Sequence, residues 1–170
     1  PFIIYKDGIP GRHIQTALAQ DAGFPEFQIT GFSAYSEGWA LYAGKLARKN
    51  NWYGDDLHGE IGQLWDEYLN VIYCLVDLGI HDKGWSGDYA VTYIMDKIGL
   101  NLLDSYSMVD RIISQPTGLT RAFVGQAHFT EARSRADSAL GPLFDIKEFH
   151  RAVLRTGSVP LEVMQSSVQS

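Results

Sequence analysis

The sequence predicts an all-α fold, and two observations carry this prediction. From Leu57 to Gly79, apolar residues recur at steps of three and four, which is the period of one helix face. The segment from Phe32 to Leu46 is rich in alanine and leucine and lacks the alternation of a strand. With 170 residues, 45% of them hydrophobic, the chain can bury one good core. We therefore expect a single helical domain over residues 1–170.

Start and stop signals place the individual helices. Asn50-Asn51 ends the helix that begins near Phe32, and the long helix ends near Gly79. Ser86 is placed to cap a helix over Asp88–Ile98, and Gly99 follows that helix as a C-terminal glycine often does. Turns that contain proline or glycine separate three further predicted helices: Leu102–Ser114, Arg121–Leu140 and Ile146–Arg155.

The two ends of the chain are less informative. Phe2–Tyr5 fits either a short strand or the apolar start of a helix. Gln165–Ser170 is polar, and we expect it to be frayed.

Charge and composition exclude several classes of function. The net charge is -6 and the 14 Lys and Arg residues are scattered, so no basic stripe is available for a nucleic acid. No apolar run approaches the roughly 18 residues of a membrane span. The only cysteine, Cys74, predicts neither a disulfide framework nor a CxxC metal site. We expect a soluble chain, and the sequence does not indicate its compartment.

Glu37 is the first residue that suggests chemistry. It lies in the apolar helical segment EGWALYA, where burying an unpaired carboxylate would be expensive. Three roles would supply the partner that it needs: a metal ligand, a general base, or one half of an ion pair with Arg or Lys.

Four motifs, in this order, resemble one known family. Together they look like the C-terminal part of the bacterial domain of unknown function 885 family, which is related to the gluzincin zinc metallopeptidases. Lys6–Gln15 reads KDGIPGRHIQ against HExxPGHxxQ, and Ser36–Gly44 reads SEGWALYAG against EGWALYAE. Asp77–Ser86 reads DLGIHDKGWS against DTGIHxxGWS, and Leu140–Met164 resembles LGxxFDxRxFHxxxLxxGxxPLxxL.

The resemblance implies a metallopeptidase-like helical fold with an altered zinc site. In such peptidases two histidines and a glutamate hold zinc, and a second glutamate activates the attacking water. Lys6 stands at the first histidine, Asp7 at the catalytic glutamate and Arg12 at the second histidine. A guanidinium has no lone pair to donate to zinc. We therefore expect no metal or other cofactor here, although the family's own pattern implies zinc.

Other departures from the family pattern point in the same direction. Ala122 replaces a tyrosine that is a candidate to polarise the substrate carbonyl, and Gly44 replaces the final glutamate of EGWALYAE. Asn70 and Tyr73 replace two arginines of the long helix. Loss of the ligands, the base and the oxyanion helper together is typical of an abandoned catalytic site.

Some family residues remain: Glu37, Asp77, His81 and Arg111. If the metal site was rebuilt, His13, Glu37 and His81 are its candidate ligands. If it was lost, Arg12, together with Lys6, is placed to form an ion pair with Glu37 in place of the metal. The remaining histidines are assigned no role: His58, His128 and His150.

Three functions remain open, and the sequence does not decide whether the chain is an enzyme. The hypothesis we favour is a non-proteolytic domain whose cleft binds a peptide or small carboxylate through Lys6, Arg12, Glu37, His81 and Arg111. The second is an active hydrolase, with Asp7 as a base and His13 or His81 assisting. The third is a helical assembly domain whose partner surface includes Phe24, Trp52 and Tyr53.

Family members are considerably longer than this chain. The resemblance therefore implies a C-terminal part whose exposed faces are completed either by a missing N-terminal part or by homo-oligomerisation.

Overall fold

The computed structural model describes residues 2–169, and every regular element in that range is helical. The predicted all-α fold is therefore confirmed. Contacts within the chain divide it into two compact units. The first unit contains Pro1–Glu60 and Ala122–Ser170, and the second contains Ile61–Arg121. The expectation of one domain over residues 1–170 stays a prediction.

The helices follow one another through short connections. A π-helical turn, Ile4–Gly8, precedes the first α-helix, and a 3-10 turn, Gly141–Leu143, follows the seventh. In chain order the α-helices are α1 Arg12–Asp21, α2 Glu26–Thr30, α3 Ser33–Lys49, α4 Leu57–His81, α5 Gly87–Ile98, α6 Leu102–Ser114, α7 Thr120–Leu140, α8 Ile146–Leu154 and α9 Leu161–Gln169.

Most predicted helices are present with nearly the predicted bounds, and α6 matches them at both ends. The prediction of a frayed end at Gln165–Ser170 is wrong as far as Gln169, because α9 covers that segment. Leu161 and Met164 explain the difference, since both are buried in the core of the first unit. Burial of these two side chains holds the helix although the residues that follow them are polar.

Core packing in the first unit centres on α3. Tyr35, Trp39 and Tyr42 of this helix are buried against Phe129 of α7. The Trp39 and Phe129 rings lie edge to face with centroids 5.6 Å apart. Such pairs add about 0.5–1.5 kcal/mol to the stability that burial supplies.

Two glycines allow α3 and α7 to approach closely. A Cβ atom built on Gly38 would lie 2.5 Å from the Gly125 backbone, and one built on Gly125 would lie 1.9 Å from the Ala34 carbonyl oxygen. Neither position has room for a side chain. The glycine of the EGWALYA segment therefore serves the packing of the helix that carries Glu37.

Capping residues define the helix ends of the second unit. The Ser86 side chain accepts a hydrogen bond from the Tyr89 backbone nitrogen, as predicted, and Gly99 ends α5 with φ at 77°. Asn101 caps α6 in the same way as Ser86 caps α5. Val76, Ile94, Val109 and Ile112 form the buried centre of this unit.

We expect Gly125→Ala to lower the free energy of unfolding by about 2 kcal/mol, because the new methyl group would overlap the Ala34 carbonyl. Gly62→Ala is the matched control, since a Cβ there meets nothing within 4 Å. It should raise stability by about 1 kcal/mol through helix propensity. Urea unfolding followed by circular dichroism measures both. Equal effects of the two substitutions would contradict the close approach of the helices.

Candidate functional site

A tight loop places Arg12 at the start of α1. The indole Nε1 of Trp39 donates hydrogen bonds to the carbonyl oxygens of Pro10 and Gly11, at 3.0 and 3.3 Å. A Cβ on Gly11 would lie 1.8 Å from the Lys6 carbonyl oxygen, so only glycine fits there. Pro10 and Gly11 therefore form a turn that is hydrogen-bonded to α3, the helix that also carries Glu37.

Arg12 and Glu37 form a bidentate ion pair. Arg12 Nη1 donates to Glu37 Oε1 at 2.6 Å, and Nη2 donates to Oε2 at 2.7 Å. The Asp7 carboxylate lies 3.5 Å from Arg12 Nε. This fork geometry is the strongest arrangement that a guanidinium and a carboxylate can adopt. The ion pair that the sequence predicted between Arg12 and Glu37 is present.

The pair is half-buried, and its environment raises the pKa of Arg12. Burial by itself would lower this pKa, but the hydrogen bonds and charge of Glu37, together with the charge of Asp7, outweigh it. Arg12 therefore stays charged at every relevant pH. Both Glu37 oxygens accept from that permanent cation, and Arg12 offers no lone pair. The side chains at these positions do not fit a zinc ion.

Three further positions that the sequence singled out, 6, 13 and 44, also lie in the first unit. Lys6 Nζ lies 5.6 Å from the centroid of the Phe2 ring. A side chain at position 44 would meet the same ring at 2.9 Å, so Gly44 leaves room for Phe2 where the family pattern has glutamate. His13 is exposed on α1. Lys6, Asp7, Arg12, His13 and Glu37 all belong to the first unit.

Asp77 and His81 of the second unit hold the turn before α7. Asp77 is buried and accepts hydrogen bonds from the Thr117 backbone nitrogen and from the backbone and hydroxyl of Thr120. His81 Nε2 lies 3.1 Å from the Ile112 carbonyl oxygen. Because a carbonyl oxygen only accepts, Nε2 carries the proton and has no lone pair there. Both residues serve local structure in this arrangement.

Arg111 lies close to Tyr73 on α4. Burial raises the pKa of the Tyr73 hydroxyl, and the Arg111 charge opposes that rise. Arg111 itself is exposed.

Within residues 2–169, no three His, Cys, Asp or Glu side chains come together as a metal-binding group. In the same range, no helix is both long enough and apolar enough to cross a membrane.

Sequence reasoning missed His150 of α8. Its Nε2 lies 2.8 Å from the Tyr42 hydroxyl, and its ring packs edge to face on Trp39 with centroids 5.6 Å apart. Burial, helped by the positive charge of Arg133, lowers the pKa of His150 to about 4. The histidine of the FHxxxL motif was a signal for this position, but it does not reveal which helix His150 faces.

The geometry defines an all-helical chain in which Arg12 and Glu37 form a bidentate, half-buried ion pair. The chain belongs to DUF885, a family of bacterial proteins of unknown function, whose model matches residues 1–168. No curated protein matches this chain.

Two solved structures resemble this chain, and both are described as a "putative lipoprotein". The one from Colwellia psychrerythraea is 33% identical with a TM-score of 0.91, covering 99% of this chain and 29% of that one. The one from Shewanella oneidensis, of unknown function, is 22% identical with a TM-score of 0.83, covering 99% of this chain and 31% of that one. The chain therefore spans less than a third of either protein.

We expect Arg12→Ala to lower the free energy of unfolding by about 2 kcal/mol, because it leaves a half-buried carboxylate without its partner. Arg135→Ala is the matched control, since Arg135 pairs with Glu131 on the exposed surface of α7. The control should cost less than about 0.5 kcal/mol. Chemical unfolding of both variants measures the difference. Equal losses would mean that the Arg12–Glu37 pair contributes no more than a surface pair.

We expect His150 to make stability pH-dependent. Its pKa is about 4 in the folded chain against 6.5 without the fold, so the unfolded chain binds more protons between these values. The free energy of unfolding should therefore fall as pH drops from about 6.5 to about 4, by about 1 kcal/mol after solvent screening. Comparing unfolding of the parent protein and His150→Gln across this range isolates the effect. Parallel pH profiles would contradict it.

Proposed function

We propose that this chain is a metallopeptidase-like domain that has lost its zinc ligands and works by binding rather than by peptide hydrolysis. The observation that carries the proposal is the bidentate pair of Arg12 with Glu37. A carboxylate that accepts from a guanidinium through both oxygens is not available as a zinc ligand or as a free general base. The side chain at the position of the catalytic glutamate, Asp7, lies beside the same cation.

The rebuilt-site alternative requires His13, Glu37 and His81 to act together. Glu37 would first have to leave Arg12, and His81 would have to bind metal through Nδ1, because its Nε2 carries the proton shared with Ile112. Leaving Arg12 costs Glu37 two charge-assisted hydrogen bonds, whereas His81 could use Nδ1 and keep its bond to Ile112. The cost of breaking the Arg12–Glu37 pair favours the non-proteolytic proposal over an active hydrolase.

A peptide or small carboxylate remains the first candidate ligand of this domain. Such a ligand would compete with Glu37 for Arg12, since both terminal nitrogens of the guanidinium already donate to that carboxylate. Binding at Arg12 is therefore expected to be weak unless the ligand displaces Glu37.

The second candidate is a role in assembly, and a different observation favours it. The periodicity of the sequence predicts that one apolar face runs along α4, and such a face is usually buried. Four residues of this face are instead exposed: Ile61, Leu64, Trp65 and Leu75. An exposed apolar patch of this kind marks an interaction surface. Tyr53, which the sequence suggested for such a surface, is instead buried.

We expect the purified chain to hold less than about one tenth of a zinc ion per molecule after incubation with zinc and gel filtration, because the half-buried pair leaves no ligand set. Plasma mass spectrometry measures the metal, and a peptidase assay with and without chelator accompanies it. Stoichiometric zinc that disappears in His13→Ala or Glu37→Ala, together with chelator-sensitive hydrolysis, would overturn the non-proteolytic proposal in favour of the rebuilt site.

A further inference from the structure

Helix α4 carries a regular row of exposed apolar side chains, which we name the α4 seam: Ile61, Leu64, Tyr68, Val71, Leu75 and Leu78. Every member is solvent-exposed, from 38% at Tyr68 to 63% at Ile61. The members all lie in the second unit. Ile72 and Val76 of the same helix are buried, so the helix is anchored by other residues and presents the seam to solvent.

The spacing of the seam is that of a helix–helix contact. Its members follow one another at three, four, three, four and three residues, which is the alternation of the a and d positions of a heptad. At 1.5 Å per residue the row is about 25 Å long. A second helix that crosses at a shallow angle can insert its own apolar side chains along the whole row. A globular ligand would cover only part of it.

The charge of α4 restricts what that second helix can be. The sequence of the helix contains no Lys or Arg, and three of its four carboxylates, those of Glu60, Asp66 and Glu67, are not buried, whereas Asp77 is. Glu60 and Glu67 directly precede the seam residues Ile61 and Tyr68, which places them at the g positions that flank a heptad seam. A helix with Lys or Arg at its own flanking positions would complement them.

We propose that the α4 seam docks an amphipathic helix from polypeptide outside these 170 residues, with an apolar heptad row flanked by Lys or Arg. The solved relatives have room for such a segment, because this chain covers only 29% and 31% of their lengths. The inference builds on the assembly role proposed above. It does not depend on the loss of zinc. A zinc-bound chain would therefore contradict the non-proteolytic proposal and not this inference, and absence of peptide binding would contradict this inference and not the loss of zinc.

Charge also argues against the other occupants of an apolar surface. A second copy of α4 would bring its own Glu60 and Glu67 to the flanks of the seam, and like charges across a helix pair are destabilising. A bilayer that contains anionic lipids would repel the same carboxylates, whereas interfacial helices are typically rich in Lys and Arg.

Binding of two synthetic helices to the full 170-residue chain tests the proposal. Both peptides have about four heptads with leucine at a and d, and they differ only in carrying Lys or Glu at e and g. Fluorescence anisotropy of the labelled peptides gives the two dissociation constants. We expect the Lys peptide to bind at least about tenfold more tightly than the Glu peptide, with a preference that shrinks as salt increases.

Variants locate the binding surface. Leu75→Asp and Val71→Asp should each raise the dissociation constant of the Lys peptide by at least about tenfold, because each places a charge in the apolar seam. Leu103→Asp on α6, where the side chain is 76% exposed, is the control and should change nothing. Glu60→Lys should reduce the ratio between the dissociation constants of the Glu and Lys peptides. Circular dichroism melting confirms that each variant is folded.

Three results would overturn the proposal. Neither peptide binds, both peptides bind equally tightly, or the Leu75→Asp and Val71→Asp variants fold and still bind the Lys peptide as tightly as the parent chain does. Self-association in sedimentation velocity that Leu75→Asp abolishes would identify a second copy as the occupant. Seam-dependent binding to vesicles of phosphatidylcholine and phosphatidylglycerol would identify a membrane.

Discussion

Glu37 needs a positively charged partner, and much of the first unit is arranged to supply one. The carboxylate lies on α3, a helix whose next residues, Gly38 to Ala43, are buried. Glu37 itself is half-buried, and without a partner its carboxylate would cost about 2 kcal/mol. Trp39, two residues further along, holds the turn that begins α1 and thereby delivers Arg12 to both Glu37 oxygens. The glycine at position 38 lets the same helix pack directly on α7.

The motifs that survive from the family pattern have structural roles in this chain. Gly79 has no room for a side chain, because a Cβ built there would lie 2.3 Å from the Trp85 ring. Asp77 accepts hydrogen bonds from the backbone nitrogens of Thr117 and Thr120, in the turn that leads into α7. The His81 ring forms a hydrogen bond with the Ile112 carbonyl oxygen near the end of α6. Packing and local hydrogen bonds are therefore sufficient reasons for these residues to be present. A motif that survives in sequence does not by itself indicate a surviving active site.

Some apolar residues of α4 are buried and others are exposed, and the periodicity of the sequence does not distinguish the two groups. Apolar steps of three and four predict a helix with one apolar face, and the helix is present. They do not reveal whether that face lies inside this chain or on its surface. Ile72 and Val76 are buried, whereas Ile61, Leu64 and Leu75 are exposed. The difference follows from which helices pack against α4, and that information lies in tertiary contacts.

Sequence alone determined the helical class, most helix bounds and the caps at Ser86 and Gly99. All of these rest on local periodicity or on turn chemistry, and each can be read over a few residues. For Glu37 the local sequence predicted only that the carboxylate needs a partner. The family resemblance pointed to Arg12, and the structure supplies that residue, 25 residues away. Only the tertiary structure decided that α9 is helical through Gln169, that His150 packs against Trp39, and that the α4 seam is exposed. Those features depend on contacts between residues far apart in the chain, and no local pattern encodes which surfaces meet.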